Sequence, residues 1–252
     1  MNRGWDVKDL CRRIVLSSTY RQSSIPRDAK LYTDDPDNRL LGRGARYRLS
    51  AEQLRDNGLA VSGLLVPKLG GPSVMPYQPA GLWEEAGTGK SYQQATGEGL
   101  YRRSMYTFWR RTSPPPNMLT FDATGRETCT ARRERTATPL QALVLLNDPQ
   151  FVEAARVLAE KIIKAHGDDI DARIIAAFRT VTSRRPFDRE LEISSQLYRE
   201  QKTHFDAVPD QARDLLANGE SKRDPALDAA DHAAMTIVIE TLMSFDECVM
   251  KR

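Results

Sequence analysis

Apolar residues recur at helical spacing over most of this chain. Val7, Leu10, Cys11, Ile14 and Val15 mark one face of a first helix, capped by Asp6, with Asp9 in its first turn and an end near 17–19. Asp35-Pro36 reads as the cap and first turn of a second helix, weakened in its middle by Gly42 and Gly44. Ser50, with Gln53 three residues on, forms a capping box that restarts this helix, and Leu54, Leu59 and Val61 lead to a stop at Gly63. The clearest start lies in RRERTATPLQALVLLND at 132–148. Thr138 is the cap, Pro139 the first helical residue and Gln141 the third member of a capping box. Leu140, Leu143, Val144 and Leu146 make this helix apolar nearly all round, which predicts burial on most sides. Asp148-Pro149 opens the next helix, with Phe151, Val152, Ala155, Leu158 and Ile162 on its inner face and Gly167 as its end. Further helices are predicted at 171–181, from a cap at Asp188, and at about 231–243. The short connections at 147–149, 167–170 and 182–188 predict antiparallel neighbours.

Other stretches break this pattern. Glycines and prolines crowd 67–99, predicting a long ordered loop anchored by Val74, Met75, Tyr77, Leu82, Trp83 and Tyr92, with a mobile tip near Gly87. Gly89-Lys90-Ser91 imitates the end of a phosphate-binding loop. Glu84 occupies the position of the required first glycine, and no buried strand precedes it, so the stretch reads as a turn. The run YRRSMYTFWRR at 101–111 favours a short strand through its aromatic and β-branched residues, and MLTFD at 118–122 a second. The prolines at 114–116 force an extended link between them. The predicted fold is mainly α: an irregular helical domain with a long Gly/Pro-rich loop and at most a short β-hairpin. It reads as one domain over 1–252, with helices at 1–66, loop and arginine-rich segment at 67–135, a helical bundle at 136–205, an acidic linker at 206–230 and a C-terminal helix at 231–252.

Composition narrows the function classes. The apolar share of 40% and charged share of 28% are those of an ordinary globular chain able to form a core. No apolar run approaches the roughly 18 residues of a membrane span. A net charge of +3 does not imply a nucleic-acid partner. Cys11, Cys129 and Cys248 lie far apart, a spacing that suits neither a disulfide framework nor a metal site. They read as ordinary buried thiols, although one pair could bridge in an oxidising compartment. His166, His204 and His232 are isolated too. No paired cysteines precede a histidine, so no c-type haem is expected on this chain and no cofactor is assigned to it.

Charge is uneven along the chain. Between 101 and 135 there are eight basic and three acidic residues, a local balance of +5, interleaved with Tyr101, Tyr106, Phe108, Trp109 and Phe121. One reading is a cleft for a sulfated or carboxylated glycan or a phosphate, with Arg102, Arg103, Trp109, Asp122, Arg132 and Arg133 as ligand-binding candidates. The preferred reading is structural: arginine's planar fork anchors loop carbonyls and pairs with Asp122, Glu127 and Glu134. The segment 206–231 carries seven acids against three bases and reads as a solvated stretch with room for a short helix.

Several motifs together point to a family. They are GWDVK at 4–8, IVLSSTYRQSS at 14–24, DPDNRLLGRGARYRLSAEQLRD at 35–56, VSG at 61–63, GGPSV at 70–74, YRRSMYTFWRRT at 101–112, FDATGRETC at 121–129 and the RRERTATPLQALVLLND stretch. In these the chain resembles the planctomycete-type domain of unknown function found C-terminally in large proteins that also carry a planctomycete cytochrome c domain. Ala137 stands where that family usually has asparagine or serine. The resemblance implies a mainly helical domain, export from the cytoplasm, and haem c in a separate domain of the parent protein. It implies no catalytic residue. It also implies that the domain begins upstream of GWDVK, so the chain is expected to be N-terminally truncated, with Met1 internal and the apolar face of Val7, Leu10 and Ile14 uncovered. The expected function is a non-catalytic binding or scaffolding domain of an exported, cytochrome-c-associated protein, with a polysaccharide-related role. Its expected partners are the parent's other domains and an acidic polysaccharide. The alternative is an enzyme domain acting on sulfated or acidic glycans, with Asp122 or Glu127 as acid or base.

Overall fold

The computed structural model describes residues 4–26, 28–87 and 89–251. The chain divides into two compact units, Met1–Arg48 with Met250–Arg252, and Leu49–Val249.

In the first unit, helix α1 (Val7–Leu16) starts as the sequence predicts: the Asp6 carboxylate accepts from the Asp9 N–H at 3.0 Å. Helix α2 (Lys30–Asp34) is a short turn of helix, and strand β1 (Tyr47–Arg48) pairs antiparallel with β2 (Met250–Lys251). The helix expected to open at Asp35-Pro36 does not form. Asp35 ends α2 instead, and its carboxylate accepts from the N–H groups of Arg39 and Leu40 at 2.8 and 2.9 Å. Those bonds wrap the backbone into a turn, with Asn38 and Leu41 at positive φ. The buried residues of this unit, among those described, are Ser24, Asp35 and Gly44. Apolar Trp5, Val7, Leu10, Ile14 and Leu16 are all half exposed or more.

The second unit holds the core. Its helices are α3 (Ala51–Ser62), α4 (Leu82–Glu85), α5 (Glu98–Tyr101), α6 (Pro116–Thr120), α7 (Pro139–Asn147), α8 (Pro149–His166), α9 (Ile170–Thr182), α10 (Asp188–Ala207), α11 (Pro209–Leu216), α12 (Ala229–Met243) and α13 (Asp246–Val249). The mainly α expectation holds. The Ser50–Gln53 capping box and the left-handed Gly63 bound α3 as the sequence predicts. Helix α12 packs against α8, α9, α10 and α11, and Ala233, Ala234, Met235, Val238, Ile239 and Leu242 along it are out of solvent. The centre of the unit is therefore α12, not α7. Helix α7 buries Gln141 and Leu145, while Leu140, Leu143 and Leu146 are 55%, 56% and 40% exposed. Apolar composition round a helix does not say how many neighbours it meets. At nine residues, α7 lies over α6, α8 and α12 along one side.

Three local expectations are corrected. Residues 104–106 form a 3-10 turn between two isolated bridges, Val66 with Arg102 and Val74 with Thr107, so 101–111 is not a strand. Pro116 starts helix α6 where a strand was expected at 118–122, because its fixed φ suits a first helical turn. Phe187, not Asp188, precedes α10, and the Glu190 carboxylate reaches back to the Phe187 N–H at 2.8 Å. The acidic stretch 206–230 contains α11, whose Ala212 and Leu216 are buried. All three cysteines are free. Cys248 is buried as expected, but Cys11 and Cys129 are exposed.

Candidate binding cleft

The arginine-rich segment divides its candidates. Arg102 is 5% exposed, and its guanidinium donates to the carbonyls of Lys68, Gly70 and Pro72 while lying 3.9 Å from the Tyr106 ring centroid. It pins the loop that begins at 67. Buried Arg55 does the same from α3, donating to the carbonyls of Leu100 and Arg102 and to Gln150 Oε1. Burial lowers the Arg55 pKa to about 10, opposed by the charges of Asp56 and Asp148. Trp109 donates from Nε1 to the Gly125 carbonyl at 3.2 Å and carries the Arg126 guanidinium over its ring. Asp122 sits at φ 61°, and its two carboxylate oxygens accept from the Thr136 N–H and hydroxyl at 2.7–3.0 Å. Arg133 pairs with Glu52 at 2.8 Å, which helps to hold that carboxyl below its ordinary pKa against the cost of burial. Arg103 and Arg132 are exposed. Arg132, Arg133 and Arg135 border an open depression of about 740 Å³. Arg102 is not among its lining residues. The six candidates therefore do not converge on one site.

A different concavity does converge. A cleft of about 410 Å³ lies between the loop wall at 77–79, Gln94, the start of α6 and the end of α7. Four carboxamides border it: Gln78, Gln94, Asn117 and Asn147. Its apolar lining comes from Leu143, Val144 and the prolines at 79, 116 and 149. The carboxylate in the lining is Asp148, whose oxygens accept from the Gln150 N–H at 2.9 Å and from Asn117 Nδ2 at 3.0 Å, so it is spent on capping α8. Burial raises its pKa, and those two bonds with the Arg55 charge oppose the rise. The Gln78 Nε2 group is shut away from solvent without a hydrogen-bond acceptor among the described residues.

The wall is held from behind. The Tyr77 hydroxyl accepts from the Glu220 N–H at 2.7 Å, and the Glu220 carboxylate accepts from the Gly97 N–H at 2.6 Å. Burial first and the nearby Glu153 carboxylate second push the Tyr77 pKa up to about 12, so the phenol is neutral. On the helical side, Gln141 is fully buried. It accepts from the Thr138 N–H and donates to the Thr120 carbonyl and the Thr136 hydroxyl, tying α6 to α7.

The family model described as a protein of unknown function (DUF1553, PSD1) matches residues 1–198. The chain belongs to the DUF1553 family. Neither a curated protein nor a solved structure matches it. The DUF1553 match takes in every residue lining the cleft and ends within α10, so α11, α12 and the Glu220 brace lie beyond it. Among the described residues no group of three His, Cys, Asp or Glu side chains is placed to hold a metal ion, and no helix is long and apolar enough to cross a membrane.

Sequence reasoning missed the cleft. Single amides in loops and at helix ends are commonplace, and these four come from separate stretches of chain. The residues that drew attention were charged and aromatic, and most of them build the loop instead.

Proposed function

We propose that this DUF1553 chain is a non-catalytic binding domain that serves as a scaffold within an exported, cytochrome-c-associated multidomain protein, docking the parent's other domains. One observation carries the reading: α7 turns Leu140, Leu143 and Leu146 to solvent directly beside a largely apolar cleft. Apolar surface of this kind on a folded domain marks a place where something binds. Catalysis on glycans has less support. A glycosidase sets two carboxyl groups across a cleft. Asp148 alone lines this one and caps a helix, Asp122 is engaged by Thr136, and Glu127 lies on the exposed surface.

The test uses the parent's remaining domains, purified and immobilised, with this chain in solution. Binding that Leu140→Asp and Leu146→Asp each weaken at least tenfold, with an unchanged melting temperature, is the expected result. Absence of binding to every parent domain, or turnover of a sulfated or acidic glycan that Asp122→Asn abolishes, would overturn the reading.

A further inference from the structure

We infer that helix α1 is a docking face for an anionic lipid surface, on which this protein lies without spanning it. The face belongs to the first unit and uses no residue of α7, so it goes beyond the scaffold reading above.

The sequence of α1 divides by side. At about 3.6 residues per turn, Val7, Leu10, Cys11, Ile14 and Val15 share one side of the helix. Lys8 and Arg12 follow one edge of that side, and Arg13 follows the other, paired with Asp9 at 2.8 Å. All three cations are exposed. Trp5 stands just before the helix, and Trp5, Val7, Leu10 and Ile14 are 50–75% exposed. A strongly amphipathic helix of low mean hydropathy, with lysine and arginine on its polar side and a tryptophan with the aliphatic one, has the composition of helices that lie in a membrane interface. None of the ten residues of α1 is buried. An unsupported helix of this length is marginal in water, and an interface that takes up its apolar side stabilises it.

Charge selects the kind of surface. The unit Met1–Arg48 with Met250–Arg252 has 13 basic and 6 acidic residues in its sequence, and Leu49–Val249 has 24 and 28. The modest net charge of +3 therefore combines +7 on the unit that carries α1 with −4 on the other. Anionic headgroups attract such a cluster. Other partners meet one half of the pattern. A nucleic acid or a sulfated glycan meets the arginines and leaves the aliphatic side of α1 wet. A second copy covers that side in lipid-free solution but sets like charge against like. A lipid interface takes both, and being fluid it needs no matching relief; neither concavity described above draws on residues of this unit.

The experiment is vesicle co-sedimentation of the 252-residue chain and of the full-length parent protein. One vesicle is pure phosphatidylcholine, and the other contains about 30% phosphatidylglycerol. Both proteins should bind the anionic vesicles at least tenfold more tightly than the neutral ones, and raising the salt to about 0.5 M should remove most of that preference. Leu10→Glu with Ile14→Glu should abolish binding. Lys8→Glu with Arg12→Glu should abolish the preference for anionic lipid. Since α1 buries no residue, the melting temperature should stay unchanged in both variants. Equal binding to both vesicles, or binding that survives Leu10→Glu with Ile14→Glu, would overturn the inference. So would pairing of copies with no binding to vesicles, which assigns the face to a second copy. Binding by the 252-residue chain and not by the parent overturns it too, because polypeptide then covers α1 in the whole protein.

Discussion

Glu240 should make this protein less stable as the pH rises through neutrality. It lies on α12, 4% exposed, and its Oε1 has no hydrogen-bond donor among the described residues. Burial alone raises its pKa from 4.5 to about 8. The direction follows from proton counting. Between those two values the unfolded chain has released the proton and the folded chain still holds it, so the folded state binds more protons and stability falls with rising pH. The slope is about 1.4 kcal/mol per pH unit, and the accumulated loss at pH 8 approaches ~5 kcal/mol. Above about pH 8 both states are ionised and the loss levels off. Total stabilities of single domains are only about 5–15 kcal/mol, so one carboxyl accounts for a large part. Glu240→Gln keeps the shape and removes the titration. Urea unfolding of both proteins at pH 4.5, 6, 7 and 8.5 gives the test, taken as the difference between them so that other groups cancel. The difference should be near zero at pH 4.5 and grow in favour of the glutamine variant up to pH 8, at equal m-values. A difference that stays flat across that range would refute the argument and mean that Glu240 ionises in the folded state with a partner or with water.

Three further outcomes are expected. Gln141→Ala should cost about 2–3 kcal/mol, because it removes three hydrogen bonds from a fully buried side chain, against about 1 kcal/mol for Thr138→Ala at the same helix start; equal losses in a thermal melt would mean that Gln141 does not join α6 to α7. The chain expressed in a host that matures c-type cytochromes should carry no covalent haem, since none of its cysteines belongs to an attachment motif; a Soret band that survives denaturation contradicts this. The purified chain should self-associate at micromolar concentration through the exposed face of α1, and Leu10→Glu with Ile14→Glu should return it to a monomer in sedimentation while changing stability by less than about 0.5 kcal/mol; a wild-type monomer would show that this face tolerates water.

The helices were legible from sequence where the signal is local. Asp6, Ser50 with Gln53, and the Asp-Pro pair at 148–149 act within one turn of themselves, so their effect does not depend on what packs nearby. The same local rule misled at Asp35-Pro36. A carboxylate that can cap a helix can equally close a turn on Arg39 and Leu40, and the neighbouring chain decides which. Likewise 101–111 has the aromatic content of a strand, but a strand needs a partner along its length, and the bridges found at Arg102 and Thr107 are single.

Which helix is central, and where a cleft opens, were decided by the tertiary structure. Leu140, Leu143 and Leu146 are as apolar as Val238, Ile239 and Leu242. The first group faces water and the second is buried, because α12 is enclosed by helices on several sides, α8, α9, α10 and α11 among them, and α7 lies along one side of its neighbours. Arginine density marked 101–135 as a candidate site. Burial turned Arg102 into a clamp on three loop carbonyls, a role that the physical chemistry of guanidinium permits and that sequence alone leaves undecided beside ligand binding. The cleft depends on amides more than 60 positions apart in the chain, from Gln78 to Asn147, meeting round one floor. Periodicity and capping act over a few residues and settle the elements. Convergence over such distances follows from how the elements pack, which is why the sequence determined the helical character of this protein and the fold determined which side chains line its cleft.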